Sequence, residues 1–121
     1  MAKVLIVDDE PDILLMLRMS LEDEGHDVVM AADGQMALER IAEHRPDLVL
    51  LDVMMPVLDG WGVLEEQRTS GGDGAPAIIV LSAKSEEADI ARAMSLGARD
   101  YVVKPFDLDK LVALVDRILS E

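Results

Sequence analysis

The chain contains no cysteine and very few aromatic residues. Its 121 residues include one Trp, one Tyr and one Phe, although 50% of the residues are hydrophobic. Without cysteine the chain can form neither a disulfide nor a thiolate metal site, which is compatible with a reducing compartment. The core must therefore be aliphatic, with a contribution from eight Met. The length fits one domain, and we expect residues 1–121 to form it.

Positive charge and long hydrophobic runs are also scarce. The chain has 11 Lys and Arg against 25 Asp and Glu, a formal net charge of −14. Because such a surface repels phosphate backbones, we expect no direct binding of nucleic acid. No apolar run approaches the roughly 18 residues of a membrane-spanning helix, and the start of the chain is too short for a signal peptide. We therefore expect a cytoplasmic protein with no membrane association.

Strand-like and helix-like segments alternate regularly along the sequence. Runs that are apolar on both faces are typical of a parallel sheet covered by helices on both sides. Between these runs, apolar residues recur at the spacing of a helix, which predicts the α/β fold class with a doubly wound sheet. The five strands are predicted near residues 3–8, 27–31, 47–52, 77–82 and 99–103.

Residues with known preferences for helix ends mark the predicted helices. Gly25 is placed as the C-terminal cap of the first helix, and the run Gly71-Gly72-Asp73-Gly74 after the third is predicted to be the most flexible stretch. The fourth helix has a thin apolar face, formed by Ile90 and Met94, which predicts low local stability. The helices are expected to begin near Pro11, Asp33, Gly60, Ser85 and Asp107.

Four of the predicted strands end on a polar residue. Asp8 and Asp9 follow the first strand, and Asp52 ends the third. Ser82 ends the fourth strand, and Lys104 follows the fifth. Because the carboxyl ends of parallel strands meet at one edge, where ligands bind in this class of sheet, we expect these side chains to share one site.

The residue types at this edge favour phosphoryl transfer. Crowded carboxylates need a compensating cation, and Mg²⁺ prefers a few carboxylates with water and a phosphate. The strand ends carry no His or Cys, which argues against zinc. Asp52 can act as a nucleophile that forms an aspartyl-phosphate, while Ser82 and Lys104 can bind phosphate oxygens. Each residue alone is more often a helix cap or turn former, so the prediction rests on their conjunction.

The chain closely resembles a response-regulator receiver domain over essentially its whole length. No single matching segment is specific, but their order and spacing together are. The resemblance implies a flavodoxin-like (βα)5 fold whose five-stranded parallel sheet has the order 2-1-3-4-5. The matching segments are residues 7–11, 52–56 with 59–60, 81–83, 97–101 and 104–106.

The resemblance also implies the roles of the acidic residues and the partner. Asp52 would accept a phosphoryl group from a phosphohistidine of a sensor histidine kinase or a histidine phosphotransfer protein. Asp9 and Asp52 would bind Mg²⁺ directly together with the backbone carbonyl of Met54, and Asp8 would act through water. The domain would thus catalyse its own phosphorylation and dephosphorylation while serving mainly as a signalling switch.

The remaining implied roles concern the switch. Lys104 would contact the phosphoryl group, and the bond before Pro105 is expected to be cis. The Ser82 hydroxyl would move toward the new charge, and Tyr101 would rotate inward to fill the vacated space. The output face would comprise the fourth helix, fifth strand and fifth helix, with a partner that the sequence does not identify. We expect a monomer or a weak, phosphorylation-dependent dimer.

Two other function classes fit the fold less well. A Mg²⁺-dependent aspartyl-phosphate phosphohydrolase usually carries a second acid two residues after the nucleophile, where this chain has Met54. A flavin-binding module needs a Ser, Thr or Gly-rich phosphate loop after the first strand, where Asp8-Asp9-Glu10 would repel phosphate. We keep the phosphohydrolase as the alternative.

Overall fold

Strands and helices alternate five times in the computed structural model, which describes residues 2–55, 57–70 and 75–121. Every strand boundary lies within one residue of its predicted position. Pro56 of the matching segments and the predicted flexible run Gly71-Gly72-Asp73-Gly74 lie outside the described residues. The strands are β1 (Lys3–Val7), β2 (Asp27–Ala31), β3 (Leu48–Asp52), β4 (Ala77–Ser82) and β5 (Asp100–Val103). The helices are α1 (Pro11–Asp23), α2 (Gly34–His44), α3 (Gly60–Ser70), α4 (Glu87–Ser95) and α5 (Leu108–Leu119).

The strands form one parallel sheet in the order β2-β1-β3-β4-β5, which confirms the flavodoxin-like fold. β3 lies in the middle and all five of its residues are buried. This burial explains its continuous apolar sequence, because helices cover both of its faces.

Successive side chains along each strand point to opposite faces of the sheet and pack into two separate cores. In β1, Leu5 and Val7 pack on one side of the sheet, and Val4 and Ile6 pack on the other. The first core receives residues of α2, α3 and α4, and the second receives residues of α1 and α5. The helices thus lie on both faces, as a doubly wound sheet requires.

Most helix ends follow the predicted signals. Gly25 has φ +89°, a conformation that favours glycine after a helix end. Asp33 caps α2 by accepting a 2.8 Å hydrogen bond from the Met36 N–H, and Asp107 caps α5 by accepting a 3.1 Å bond from the Lys110 N–H. These carboxylates satisfy backbone donors that the first helical turn leaves free.

α4 begins within the run Ser85-Glu86-Glu87 that was predicted to start it, although Ser85 is not its N-cap residue. The helix begins at Glu87, and its N-cap residue Glu86 makes no side-chain capping bond. Glu86 is extended, with φ −73° and ψ 145°, as N-cap residues usually are. The loop before it is held by bonds at Lys84 to Ser82 and Tyr101.

The thin apolar face predicted for α4 is confirmed, although one residue of it is misplaced. Ala93 is the buried residue of this helix, whereas Met94 is 45% exposed instead of facing the core. Arg92 lies over the ring of Trp61 in α3, with its guanidinium carbon 4.2 Å from the ring centroid, and Trp61 itself is only 8% exposed. α4 is thus held by little apolar burial and one cation–π contact.

Within residues 2–55, 57–70 and 75–121, no helix combines the length and apolarity needed to cross a membrane.

Candidate functional site

The polar residues that end the strands meet at the carboxyl edge of the sheet, as predicted. Asp8 follows β1, Asp52 ends β3 and Ser82 ends β4. These are the buried polar or charged residues of the described part of the chain, and Asp52 is only 4% exposed. Since burying polar groups is costly, their concentration at one edge makes this edge the candidate functional site.

Lys104, after β5, joins the two buried carboxylates of Asp8 and Asp52. Its Nζ atom donates to Asp8 Oδ2 at 2.8 Å and to Asp52 Oδ2 at 3.4 Å. Glu10 adds a longer contact, with its Oε1 atom 3.8 Å from the same nitrogen. The peptide bond between Lys104 and Pro105 is cis, as the resemblance implied. One ammonium is thus shared among three carboxylates.

The sharing leaves Asp52 short of compensating charge. Burial raises the pKa of Asp52 above its ordinary value, and the charge of Asp8 raises it further. The Met54 N–H, which donates to Asp52 Oδ1 at 3.0 Å, and the Lys104 ammonium lower this pKa but do not outweigh burial.

Burial acts on the pKa of Lys104 in the direction opposite to its action on the pKa of Asp52. Burial alone would lower its pKa, but the hydrogen bonds and charges of Asp8 and Asp52 outweigh burial and raise it. The ammonium therefore stays charged at neutral pH and provides a fixed positive charge beside Asp52.

Carboxylate oxygens suited to a hard cation lie beside this lysine. Asp8, Asp9 and Glu10 each offer an oxygen, and these oxygens lie within 4.8 Å of one another. Asp8 is already engaged, because Oδ1 accepts the Glu10 N–H at 2.9 Å and Oδ2 accepts from Lys104. Asp9 and Glu10 are exposed. An all-oxygen, negatively charged donor set fits Mg²⁺ and does not favour zinc.

Sequence reasoning assigned no role to Glu10, although the structure places it beside Asp9 and Lys104. The available signal was a third consecutive acidic residue after the first strand, which reads equally well as a solvated helix start.

A scan against family models matches residues 4–116 to the response regulator receiver domain. The chain belongs to the response regulator receiver domain family.

The receiver domain resembles curated regulators over about half of their length. It is 43% identical to the alkaline phosphatase synthesis transcriptional regulatory protein PhoP of Bacillus subtilis, over 97% of this chain and 48% of that protein. It is 45% identical to the transcriptional regulatory protein KdpE of Mycobacterium tuberculosis, over 93% of this chain and 49% of that protein. Among solved structures, the receiver domain of the Francisella response regulator 1452 is 32% identical, with a TM-score of 0.92 and coverage of 99% of this chain and 98% of that one.

In this receiver domain, the residues predicted to act as the switch meet at Lys84, two positions after the end of β4. The Lys84 N–H donates to Ser82 Oγ at 3.0 Å, and the Tyr101 hydroxyl donates to the Lys84 carbonyl at 2.8 Å. Ser82 is buried and Tyr101 half-buried. The backbone of one loop residue therefore connects the hydroxyl at the site to the aromatic residue on the edge strand β5.

Proposed function

We propose that this receiver domain is a phosphorylation-activated switch in which Asp52 accepts a phosphoryl group from a phosphohistidine of a sensor histidine kinase or a histidine phosphotransfer protein. The observation that carries the proposal is the buried Asp52 carboxylate. Its negative charge is only partly compensated by the Lys104 ammonium, whose Nζ atom lies 3.4 Å from Oδ2. A carboxylate with little counter-charge is poised to react with an electrophilic phosphorus and to gain from a nearby cation.

We assign Mg²⁺ to the acidic edge of this site. Asp9, Asp52 and the backbone carbonyl of Met54 would bind it directly, and Asp8, which accepts the shorter 2.8 Å bond from the Lys104 ammonium, would act through water. When bound, the ion neutralises charge on the phosphoryl oxygens.

The chain's own residues account for the transfer. The Met54 N–H fixes the orientation of the Asp52 carboxylate through Oδ1. An oxygen of Asp52 attacks phosphorus as the bond from phosphorus to the donor imidazole breaks. The Lys104 ammonium, which faces Asp52 Oδ2, binds a phosphoryl oxygen on the product.

The contacts of Lys84 provide a route from the site to the output face. Phosphorylation adds roughly −1.5 to −2 charges and strong acceptor oxygens. The Ser82 hydroxyl accepts the Lys84 N–H and still has a proton to donate to one of these oxygens, so movement of Ser82 toward the phosphoryl group would pull on Lys84 through this bond. Movement of Lys84 then changes the loop before α4 and its contact with Tyr101. We propose that α4, β5 and α5 present this change to a partner still to be identified, and that any dimer is weak and phosphorylation-dependent.

The phosphohydrolase alternative is less well supported. That reaction needs an acid near the leaving group, and the side chain two residues after Asp52 is the thioether of Met54, which has no proton to donate. Met54 is also 56% exposed and so does not enclose a substrate.

Incubation with Mg²⁺ and acetyl phosphate, followed by intact mass spectrometry, tests the proposal. We expect wild type to gain one phosphoryl group and to lose it after acid or base treatment, because acyl phosphates are labile. Asp52→Asn should gain none, while Asp23→Asn, which changes an exposed acid at the end of α1, should behave as wild type. Wild type that gains no phosphoryl mass would contradict the proposal.

A further inference from the structure

The described residues of the β3–α3 loop, 53–55 and 57–59, are anchored by backbone hydrogen bonds at both ends. At its start, the Met54 N–H donates to the Asp52 carboxylate at 3.0 Å. At its end, the Gly60 N–H donates to the Val53 carbonyl at 3.1 Å. A third bond comes from a different part of the fold: the N–H of Gly34, the first residue of α2, donates to the Leu58 carbonyl at 2.9 Å.

Gly34 and Leu58 are too close to allow any side chain at position 34. A Cβ atom on Gly34 would lie 2.0 Å from the Leu58 carbonyl oxygen and 2.7 Å from the carbonyl carbon. Both atoms are backbone, so no side-chain rotation relieves the contact. Since ordinary contacts begin at 3.4 Å, the loop would have to retreat by about 1.4 Å, the difference between 3.4 and 2.0 Å.

The helix itself gives no reason for glycine at this position. The backbone of Gly34 is not in the left-handed region, and helices favour alanine over glycine. The close approach of the loop is therefore the feature of the structure that requires Gly34.

The loop is also held in a conformation that its own residues disfavour. Val57 has φ +67°, which is strained for a β-branched residue. Its side chain is 83% exposed, so apolar packing of this side chain does not offset the strain. Contacts elsewhere in the loop must hold this conformation, and the Gly34 bond to Leu58 is one of them.

We propose that Gly34 is a positioning residue for the phosphoryl-acceptor site, acting through the Leu58 carbonyl on the loop that carries Met54. The proposal rests on the proposed function, in which Met54 orients Asp52 through its N–H and contributes its carbonyl to Mg²⁺. Gly34 touches neither Asp52 nor the phosphoryl group, so its effect passes entirely through the loop.

Gly34→Ala compared with Gly62→Ala tests this role. A Cβ on Gly62 also meets Leu58, but at the end of its flexible side chain, 2.4 Å from Cδ1, which can rotate away. We expect Gly34→Ala to weaken Mg²⁺ binding about tenfold by calorimetry, as loss of a ligand-orienting contact does. Its phosphorylation by acetyl phosphate at saturating Mg²⁺ should slow by about tenfold to a hundredfold, as a displacement of about 1 Å near the reacting atoms does. Gly62→Ala should match wild type in both measurements, and urea unfolding would confirm that both variants are folded.

A measurement on wild type keeps the test independent of whether Gly34→Ala folds. If the loop position couples Gly34 to the metal, Mg²⁺ must stabilise the Gly34 bond as much as that bond favours Mg²⁺. Saturating Mg²⁺ should therefore slow amide hydrogen exchange at Gly34 more than at Ala37, whose N–H donates to the carbonyl of the cap residue Asp33 at 3.0 Å.

The outcomes separate this inference from the proposed function. If wild type is phosphorylated on Asp52 but Gly34→Ala retains its Mg²⁺ affinity and rate, the positioning role is wrong and the function stands. Equal slowing of exchange at Gly34 and Ala37 would also overturn the positioning role. If wild type neither binds Mg²⁺ nor accepts a phosphoryl group, both proposals fail.

Discussion

Asp52 is a carboxylate that the fold buries beside another carboxylate. Its pKa is raised mainly by burial, so the folded state binds a proton at this residue more tightly than the unfolded state does. The folded state is therefore favoured most below the ordinary carboxyl pKa, and this advantage is lost as the pH rises through the raised pKa. At neutral pH the ionised Asp52 lowers the free energy of unfolding, a cost that reactive sites commonly carry.

Asp52→Asn should accordingly stabilise the metal-free protein. Because the amide keeps an oxygen for the Met54 N–H and removes the buried charge, we expect the free energy of unfolding at neutral pH to rise by about 1 kcal/mol. The difference from wild type should shrink as the pH falls toward the ordinary carboxyl pKa. Urea titration measures it, with Asp12→Asn as a control that removes the same charge from an exposed position. Lower stability of Asp52→Asn would show that Lys104 overcompensates the carboxylate.

Single residues also show what the sequence could predict about the site. Asp8, Asp52, Ser82 and Lys104 were predictable because each ends or follows an apolar run, and parallel strands bring such ends together. The role of Gly34 was not predictable, because it depends on the approach of two backbones that are distant in sequence. The contact from Glu10 to Lys104 likewise depends on where the chain turns into α1.

At the scale of elements, strands were more predictable than helix starts. The central strands β1, β3 and β4 are legible because residues on both of their faces are buried, so their sequences are continuously apolar. The edge strands β2 and β5 are only partly buried, so this reason does not apply to them. The order of the strands in the sheet came from family resemblance, since periodicity carries no information about neighbours. The start of α4 lies two residues after Ser85, and the loop before it is held by the Tyr101 hydroxyl from another strand, a contact that local sequence does not reveal.

α4 should be the helix whose stability depends most on a single polar contact. Because Ala93 is its buried residue, α4 gains little from apolar burial, and the cation–π contact from Arg92 to Trp61 contributes much of what holds α4 against α3. We expect Arg92→Ala to lower the free energy of unfolding by about 0.5–1 kcal/mol and to speed amide exchange in α4 more than in α5.

Arg68→Ala on α3 is the matched control for the Arg92 variant. Arg68 forms a surface ion pair with Glu65, at 3.5 Å, and such pairs contribute little. Equal effects of the two variants on α4 exchange would contradict a specific role for the contact with Trp61.

At the scale of the whole molecule, a net charge of −14 opposes compaction. Acidic side chains also crowd at the site, where Asp8, Asp9 and Glu10 lie together. Cations should therefore stabilise the fold in two ways, by general screening and by binding at this edge.

Thermal unfolding in MgCl₂ and in NaCl of equal ionic strength separates these two effects. Both salts should raise Tm by screening, and Mg²⁺ should raise it further by binding. At a concentration one hundred times its Kd, binding stabilises the folded state by about 2.7 kcal/mol. Asp9→Asn should keep the NaCl effect and lose most of the additional Mg²⁺ effect. Identical curves in the two salts would contradict a metal site at this edge.

The contact between Arg92 and Trp61 also has an optical consequence. Trp61 is the one tryptophan in the sequence, so all indole emission from the protein comes from a ring between α3 and α4. A guanidinium at 4.2 Å sets the electric field at that ring, and a displacement of α4 changes the field. The protein thus carries an intrinsic fluorophore beside α4, and if phosphorylation displaces α4 as we propose, the emission of Trp61 should report the timing of activation without a label.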